Sequence, residues 1–272
     1  MLGPVGGAEY APRQLSHYLR DGCLVELSRR FLNAATVFGQ SYCRRLSEFH
    51  TVMFANCETK DYLNQHGVKL PRTVLRTEIG IKADQLGSSS IERHEGPLRI
   101  LYVGRLIPRK GVAFLLDACA IAKRDGLSFE LRICGSGSQE KRLVAKSVEL
   151  GLEENVTFLG AIDHGKIDSQ YRWADVAAMP SVRETGGAVI AEALSNAKPV
   201  IAFNSFGFRL VLDETNSYLL DPSSTVQDFA HLLTSISRKE IAAMNFKDAV
   251  DSLLWKNKAA WCIGEYERSL DS

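Results

Sequence analysis

From Gly96 onward, short apolar β-rich runs alternate with longer stretches of helical periodicity, and this alternation confines the chain to very few folds. It is the pattern of βαβ units, which build a parallel sheet with helices on both faces. Leu98–Val103 (LRILYV) reads as a strand, and the following Val112–Arg124 places Leu115, Ala118, Cys119 and Ala122 on one helical stripe. Phe129–Cys134 is the next strand, and Glu140–Leu150 is a helix with Gly151 as its C-cap. Val156–Leu159, Val176–Met179, Val200–Phe203 and Tyr218–Leu220 continue the strand series. Runs this uniformly apolar suit strands covered on both sides.

The first third reads differently. Ala11–Leu46 is mainly helical, and Thr51–Ala55 and Thr73–Glu78 are isolated strand signals, too few for a complete doubly wound sheet. The small, polar stretch Gly87–Pro97 (GSSSIERHEGP) is the candidate linker. At the far end, SLLWKNKAAWCIGEYERSL reads as one long amphipathic helix with Leu254, Trp261 and Tyr266 among its larger apolar groups, a packing element.

In a doubly wound sheet, ligands lie beyond the carboxyl ends of the strands, so the loops there carry the chemistry. The loop GRLIPRKG, Gly104–Gly111, sets Arg105 directly after a strand and Lys110 immediately before a helix. A guanidinium and an ammonium in that position suit a diphosphate; a solvated basic loop is the other reading. The segment RETGGAVIAEALSNAKPV supplies Glu184, then Gly186 and Gly187 opening a helix, then Glu192. Free amides at a helix start bind anions, and a carboxylate accepts paired hydrogen bonds from the vicinal hydroxyls of ribose or hexose. Alternatively, Glu184 is a first-turn dipole partner and Glu192 a surface residue. In ICGSGSQE, Gly135 and Gly137 form a close turn, either beside a ligand or purely structural; Glu140 stands where a dinucleotide fingerprint needs its last glycine. That departure disfavours a dinucleotide-dependent oxidoreductase.

Taken in order, GRLIPRKG, ICGSG, VTFLG, ADVAAMPS, the E-x7-E of Glu184 and Glu192, and AKPVIAF resemble the C-terminal half of family 4 glycosyltransferases, retaining enzymes of the GT-B fold. The resemblance covers roughly Leu98 to Pro222. It implies an α/β, GT-B-like protein with a complete C-terminal Rossmann-type domain over residues 91–245, a partial, acceptor-side N-terminal domain over 1–90, and a closing helix over 246–272 that packs back toward the latter. It implies catalytic roles for Arg105 and Lys110 on the donor diphosphate and Glu184 on the donor sugar. Backbone of Gly186, Gly187 and Ala188 would meet the phosphates, Glu192 the ribose and Ile162 the base, with Gly104 and Gly135 also bordering the donor. GPVGGAEYAP resembles the glycine-rich loop facing the interdomain cleft, through Gly6 and Gly7, and Met1 precedes it almost directly, so the first βα units of the usual acceptor domain are expected to be absent. Ala197 stands where the family usually has glycine.

The implied reaction is transfer of a hexosyl group from a nucleoside diphosphate sugar (UDP or GDP) to a hydroxyl acceptor such as a glycan or lipid-linked sugar. No metal or other cofactor is expected, because side-chain cations can take a divalent ion's place. The alternative is a nucleotide-sugar binding module, or an inactive fragment, without transfer. Lys plus Arg total 33 against 32 for Asp plus Glu, so no global field favours nucleic acid. The six cysteines form no C-x-x-C pair or zinc spacing and read as reduced thiols of a cytoplasmic protein. No run approaches the roughly 20 apolar residues of a membrane span. Apolar surface on the partial N-terminal domain is expected to drive self-association, and the absence of such a span is compatible with peripheral contact at the inner face of a membrane.

Overall fold

A computed structural model describes residues 2–6, 13–38, 45–86, 95–184 and 187–270. Gly7, Gly186 and residues 87–94 of the candidate linker lie outside the described residues. The larger of two parallel sheets has six strands: β4 (Leu98–Val103), β5 (Phe129–Cys134), β6 (Val156–Gly160), β7 (Val176–Met179), β8 (Val200–Phe203) and β9 (Ser217–Leu220). Their order is β6-β5-β4-β7-β8-β9. The chain winds outward from β4 to β6, then returns and winds the other way from β7, so the order reverses between β4 and β7. At such a switch point the loops after the two central strands diverge and leave a crevice.

Period-2 alternation divides this sheet's side chains between two cores. Ile100, Ile133, Val176, Ala178, Ile201 and Phe203 enter one cluster. Leu101, Cys134, Ala177, Met179, Val200 and Ala202 enter the other. On the first face lie α3 (Val112–Arg124) and α7 (Val226–Ser235). The expected stripe of Leu115, Ala118, Cys119 and Ala122 is fully buried there. Phe114 sits edge-on to Phe203 and Phe229, with ring centroids 5.4 and 5.3 Å apart, a favoured aromatic geometry. The second face is covered chiefly by α5 (His164–Trp173) and α6 (Ala188–Ser195). Between β5 and β6 runs α4 (Glu140–Glu149), and Gly151 beyond it takes φ +67°.

The two strand signals of the first third are not isolated. β2 (Thr51–Phe54) pairs in parallel with β3 (Arg72–Leu75) and with β1 (Leu2–Val5), a strand inside what reads from sequence as a glycine-rich loop. This three-stranded sheet has its own small cluster of Leu46, Val52, Phe54 and Leu63. Leu63 belongs to α2 (Cys57–Gln65), whose Asn56 cap accepts from the Thr59 amide at 2.8 Å. The region expected to be mainly helical begins with a 3-10 segment, Arg13–Gly22, followed by α1 (Cys23–Phe38). Leu15 and Leu19 of the 3-10 segment bury in the core of the six-stranded unit, and Tyr18 donates to Asp117 of α3 at 2.9 Å.

The C-terminal helix also departs from expectation. After the short α8 (Arg238–Ala243), it is broken into α9 (Lys247–Leu253) and α10 (Trp255–Leu270), because Leu254 is extended and buried. The break lets Ile81 donate to the Leu253 carbonyl at 2.9 Å and Trp255 to the Ile81 carbonyl at 3.0 Å. α10 then meets the end of the three-stranded unit: Arg72 pairs with Glu265 at 2.9 Å, and the Arg76 guanidinium lies 4.4 Å above the Trp261 ring. Cys57, Cys119, Cys134 and Cys262 are free thiols. Among the described residues, no helix is long and apolar enough to cross a membrane.

Candidate active site at the sheet switch point

The loop after β4 and the loop after β7 flank the switch point, and their backbones are joined. Val182 donates to the Arg109 carbonyl at 3.0 Å. The contact is close because Gly111, at φ +73°, has no side chain: a Cβ there would lie 1.9 Å from the Pro180 carbonyl oxygen. Similarly, a Cβ on Gly135 would lie 1.8 Å from the Gly104 carbonyl oxygen. The loop glycines after β5 let the backbones after β4 and β5 touch, with Gly104 donating to the Cys134 carbonyl at 2.9 Å and Leu106 to the Ser136 carbonyl at 2.9 Å. A larger residue at Gly111 or Gly135 would push the loops apart.

This joining brings Lys110 and Glu184 together. Lys110 Nζ pairs with Glu184 Oε2. Arg109 Nη1 lies 3.4 Å from Glu184 Oε1 and donates to the Arg183 carbonyl, also at 3.4 Å. The Glu184 side chain is only 10% exposed, so these cations are the partners that offset its loss of water. Tyr102, at the end of β4, lies beneath them, buried and donating to the Arg105 carbonyl at 3.0 Å. Burial first, and then the Glu184 charge, hold its phenol well above its ordinary pKa, against the opposing pull of Arg109 and Arg105. It remains a neutral hydrogen-bond donor at any ordinary pH. Tyr102, Lys110, Glu184, Ser181, Gly187 and Phe208 all line one narrow cavity.

The other expected residues are distributed around this edge of the sheet. The Arg105 side chain is exposed on the same loop as Lys110. Gly187 caps α6 and has no side chain with which to bond the first amides of the helix, and the first helical residue, Ala188, is exposed. Glu184 precedes the helix and is not a first-turn residue of it. Glu192, on α6, is half-buried and accepts from Tyr171 of α5 at 3.1 Å, so it is more than a surface residue. Burial and then the Glu192 charge raise the Tyr171 pKa far above its usual value. Ile162 follows β6, partly buried against the second core, and Gly6 is exposed just past β1.

Arg109, Tyr102, Tyr171 and Phe208 were missed from the sequence. Arg109 alone carried a signal, as a cation adjoining Lys110; nothing in their spacing marks the aromatic groups. Among the described residues, no cluster of His, Cys, Asp and Glu has the arrangement to hold a metal ion.

Residues 88–252 match the family model of glycosyl transferases group 1. A D-inositol 3-phosphate glycosyltransferase of Saccharomonospora viridis is 31% identical over 183 residues, covering 64% of this chain and 40% of the relative. Sucrose-phosphate synthase from Thermosynechococcus elongatus superposes with a TM-score of 0.67 at 25% identity, over 84% of this chain and 60% of that one. A pneumococcal O-GlcNAc transferase solved with UDP and GlcNAc superposes at 0.66 and 20% identity, over 86% and 48%. The chain spans less than half the length of the curated relatives it matches. With parallel sheets, a reversal of strand order and basic and acidic loops meeting there, the fold is GT-B-like, and the chain belongs to the glycosyl transferases of group 1.

Proposed function

We propose that this chain binds a nucleoside diphosphate sugar at the switch point between β4 and β7 and transfers its hexosyl group to a hydroxyl acceptor, with retention of anomeric configuration, as a family 4 enzyme. The observation that carries the reading is the meeting of Lys110 with Glu184 beside a helix start capped by a glycine. As the glycosidic C–O bond breaks, negative charge builds on the leaving diphosphate. Arg105, Lys110 and the amides at Gly187 and Ala188 stabilise that charge from fixed positions, and the rate gain comes from their being stronger partners for the transition state than for the ground state. These cations take the role a divalent ion would otherwise have, so no metal is required. Glu184 then serves the sugar and Glu192, oriented by Tyr171, the ribose; Gly104, Gly135 and Ile162 border the nucleotide, with Gly186 completing the phosphate loop. The glycine pair Gly6 and Gly7 is assigned to the acceptor side, for a glycan or lipid-linked sugar reached by peripheral contact with the inner membrane face. The donor class is supported by the pneumococcal transferase of the same fold, which was solved with UDP and GlcNAc.

Calorimetric titration of UDP and GDP, with uridine and guanosine as controls, tests the donor site. Arg105→Ala and Lys110→Ala should each cost about 1.5–3 kcal/mol for the diphosphate, roughly 10- to 150-fold, and little for the nucleoside. Equal losses for both ligands would refute the phosphate assignment. The alternative, a nucleotide-sugar binding module without transfer, shares this donor site and differs from the enzyme only in turnover. Release of free nucleotide from sugar nucleotide plus acceptor separates the two.

A further inference from the structure

The donor reading leaves Arg109 unused, yet its side chain reaches the same carboxylate as Lys110. Its carbonyl accepts from Val182, and its Nη1 reaches both the Arg183 carbonyl and Glu184 Oε1. Lys110 takes the other oxygen, Oε2, of the same carboxylate. Glu184 is thus one anion shared by two successive cations, with one oxygen toward each. Two oxygens of a phosphate present the same geometry and ask for the same donors. A diphosphate approaching Lys110 must therefore compete with Glu184 for it.

We propose that Arg109 is a third phosphate-binding cation of this site and that Glu184 is the internal anion that a diphosphate displaces. The inference rests on the donor reading above and deepens it. Once phosphate oxygens take over Lys110 and Arg109, the Glu184 carboxylate is released to accept from sugar hydroxyls. Occupancy of the diphosphate site and recognition of the sugar are then coupled through one side chain. The exchange also limits affinity for the diphosphate alone, since the bonds made at Lys110 and Arg109 replace existing ones.

The test is titration of UDP, GDP and inorganic diphosphate into the parent chain, Glu184→Gln and Arg109→Gln, with the nucleosides as controls. Removing the competing charge in Glu184→Gln should tighten diphosphate binding by about three- to tenfold and steepen its salt dependence. Arg109→Gln should weaken diphosphate binding by about tenfold or more and leave nucleoside binding unchanged. Arg109→Lys, which keeps the charge, should recover much of that loss. If Glu184→Gln proves poorly folded, the midpoint shift on adding inorganic diphosphate is read instead, and it should exceed the shift in the parent chain. A parent that binds UDP or GDP while Glu184→Gln binds them no more tightly overturns the exchange and leaves the donor site standing. An Arg109→Gln effect equal on diphosphate and nucleoside reduces Arg109 to a link between loops and overturns its assignment. A parent that binds no nucleoside diphosphate overturns the donor reading and this inference together.

Discussion

The six-stranded unit buries both faces of its sheet, whereas the three-stranded unit buries one small cluster, and α1, which precedes β2 in the chain, leaves Leu27, Phe31 and Leu32 at 62%, 74% and 62% exposure. Both are parallel and both place loops at the carboxyl ends of their strands. The difference lies in what holds those loops. In the larger unit the loops after β4, β5 and β7 are joined by backbone bonds and glycine contacts, so Lys110 and Glu184 are set by a rigid frame. In the smaller unit the order comes partly from outside it, through Arg72 on Glu265, Arg76 on Trp261 and Arg209 on Glu58. Rigid positioning of charge thus belongs to the unit with two cores. The exposed apolar groups of α1 offer a surface for the self-association expected from the sequence.

The largest effect that would break this contrast is a cavity in each core. Phe114→Ala and Phe54→Ala each remove a fully buried ring and should cost about 3–5 kcal/mol locally. Their consequences for ligand should differ: Phe114 supports the helix that begins at Gly111, so its loss should abolish diphosphate binding, while Phe54→Ala should leave it within about twofold of the parent. Thermal unfolding and UDP or GDP titration on both variants decide it. Equal loss of binding would mean that the units do not stand apart.

An intermediate effect should come from the contact between the units. Lys258 is buried and donates to the Thr77 carbonyl at 2.7 Å. Burial first, then Arg76, lowers its pKa to about 8 from an ordinary 10.5, against the opposing influence of Cys262 and Glu78. Between those values the unfolded chain holds more protons than the folded one, so this group's contribution to stability rises with pH. Its cost is complete below pH 8 and is relieved toward pH 10.5. The buried thiols of Cys119 and Cys134, whose pKa values are raised, act in the opposite sense. The difference between the parent and Lys258→Met isolates the lysine: chemical denaturation at pH 7.5 and 10.5 should show the parent gaining on the variant. A difference that is flat across that range would remove Lys258 from the contact's pH dependence.

The smallest effect sharpens the description of the larger unit's frame. Ala197 adopts φ +53° after α6, a left-handed conformation that disfavours a Cβ. Ala197→Gly should relieve that strain, partly offset by the greater freedom of glycine in the unfolded chain, for a net gain of about 0.5–1 kcal/mol. A rise of about 1–3 °C in the unfolding midpoint is expected. No rise would mean that the surrounding chain has relaxed the strain.

Ala197 also shows how far residue type can be read without coordinates. Its departure from the family's glycine is visible in the sequence, but the positive φ that gives the departure a cost is not. Leu254 shows the reverse: its stretch has continuous helical periodicity, yet it is extended, because pairing with Ile81 outweighs one turn of local helix. β1 was illegible for a related reason. A four-residue strand rich in glycine and proline has little intrinsic preference and exists through its pairing with β2.

Residue type and spacing alone were enough to place the six strands, their helices, the loops that carry Arg105, Lys110 and Glu184, and the helix that carries Glu192. Apolar periodicity, glycine and charge are local properties, and burial between two helical layers leaves its mark on every residue of a strand. Only the tertiary structure decided that Glu184 answers Lys110 and Arg109, that Tyr171 holds Glu192, and that Leu15 and Leu19 join the larger core. Each of these is a meeting of side chains far apart along the chain. It depends on strand order and on how closely two backbones approach, and neither is carried by any single segment.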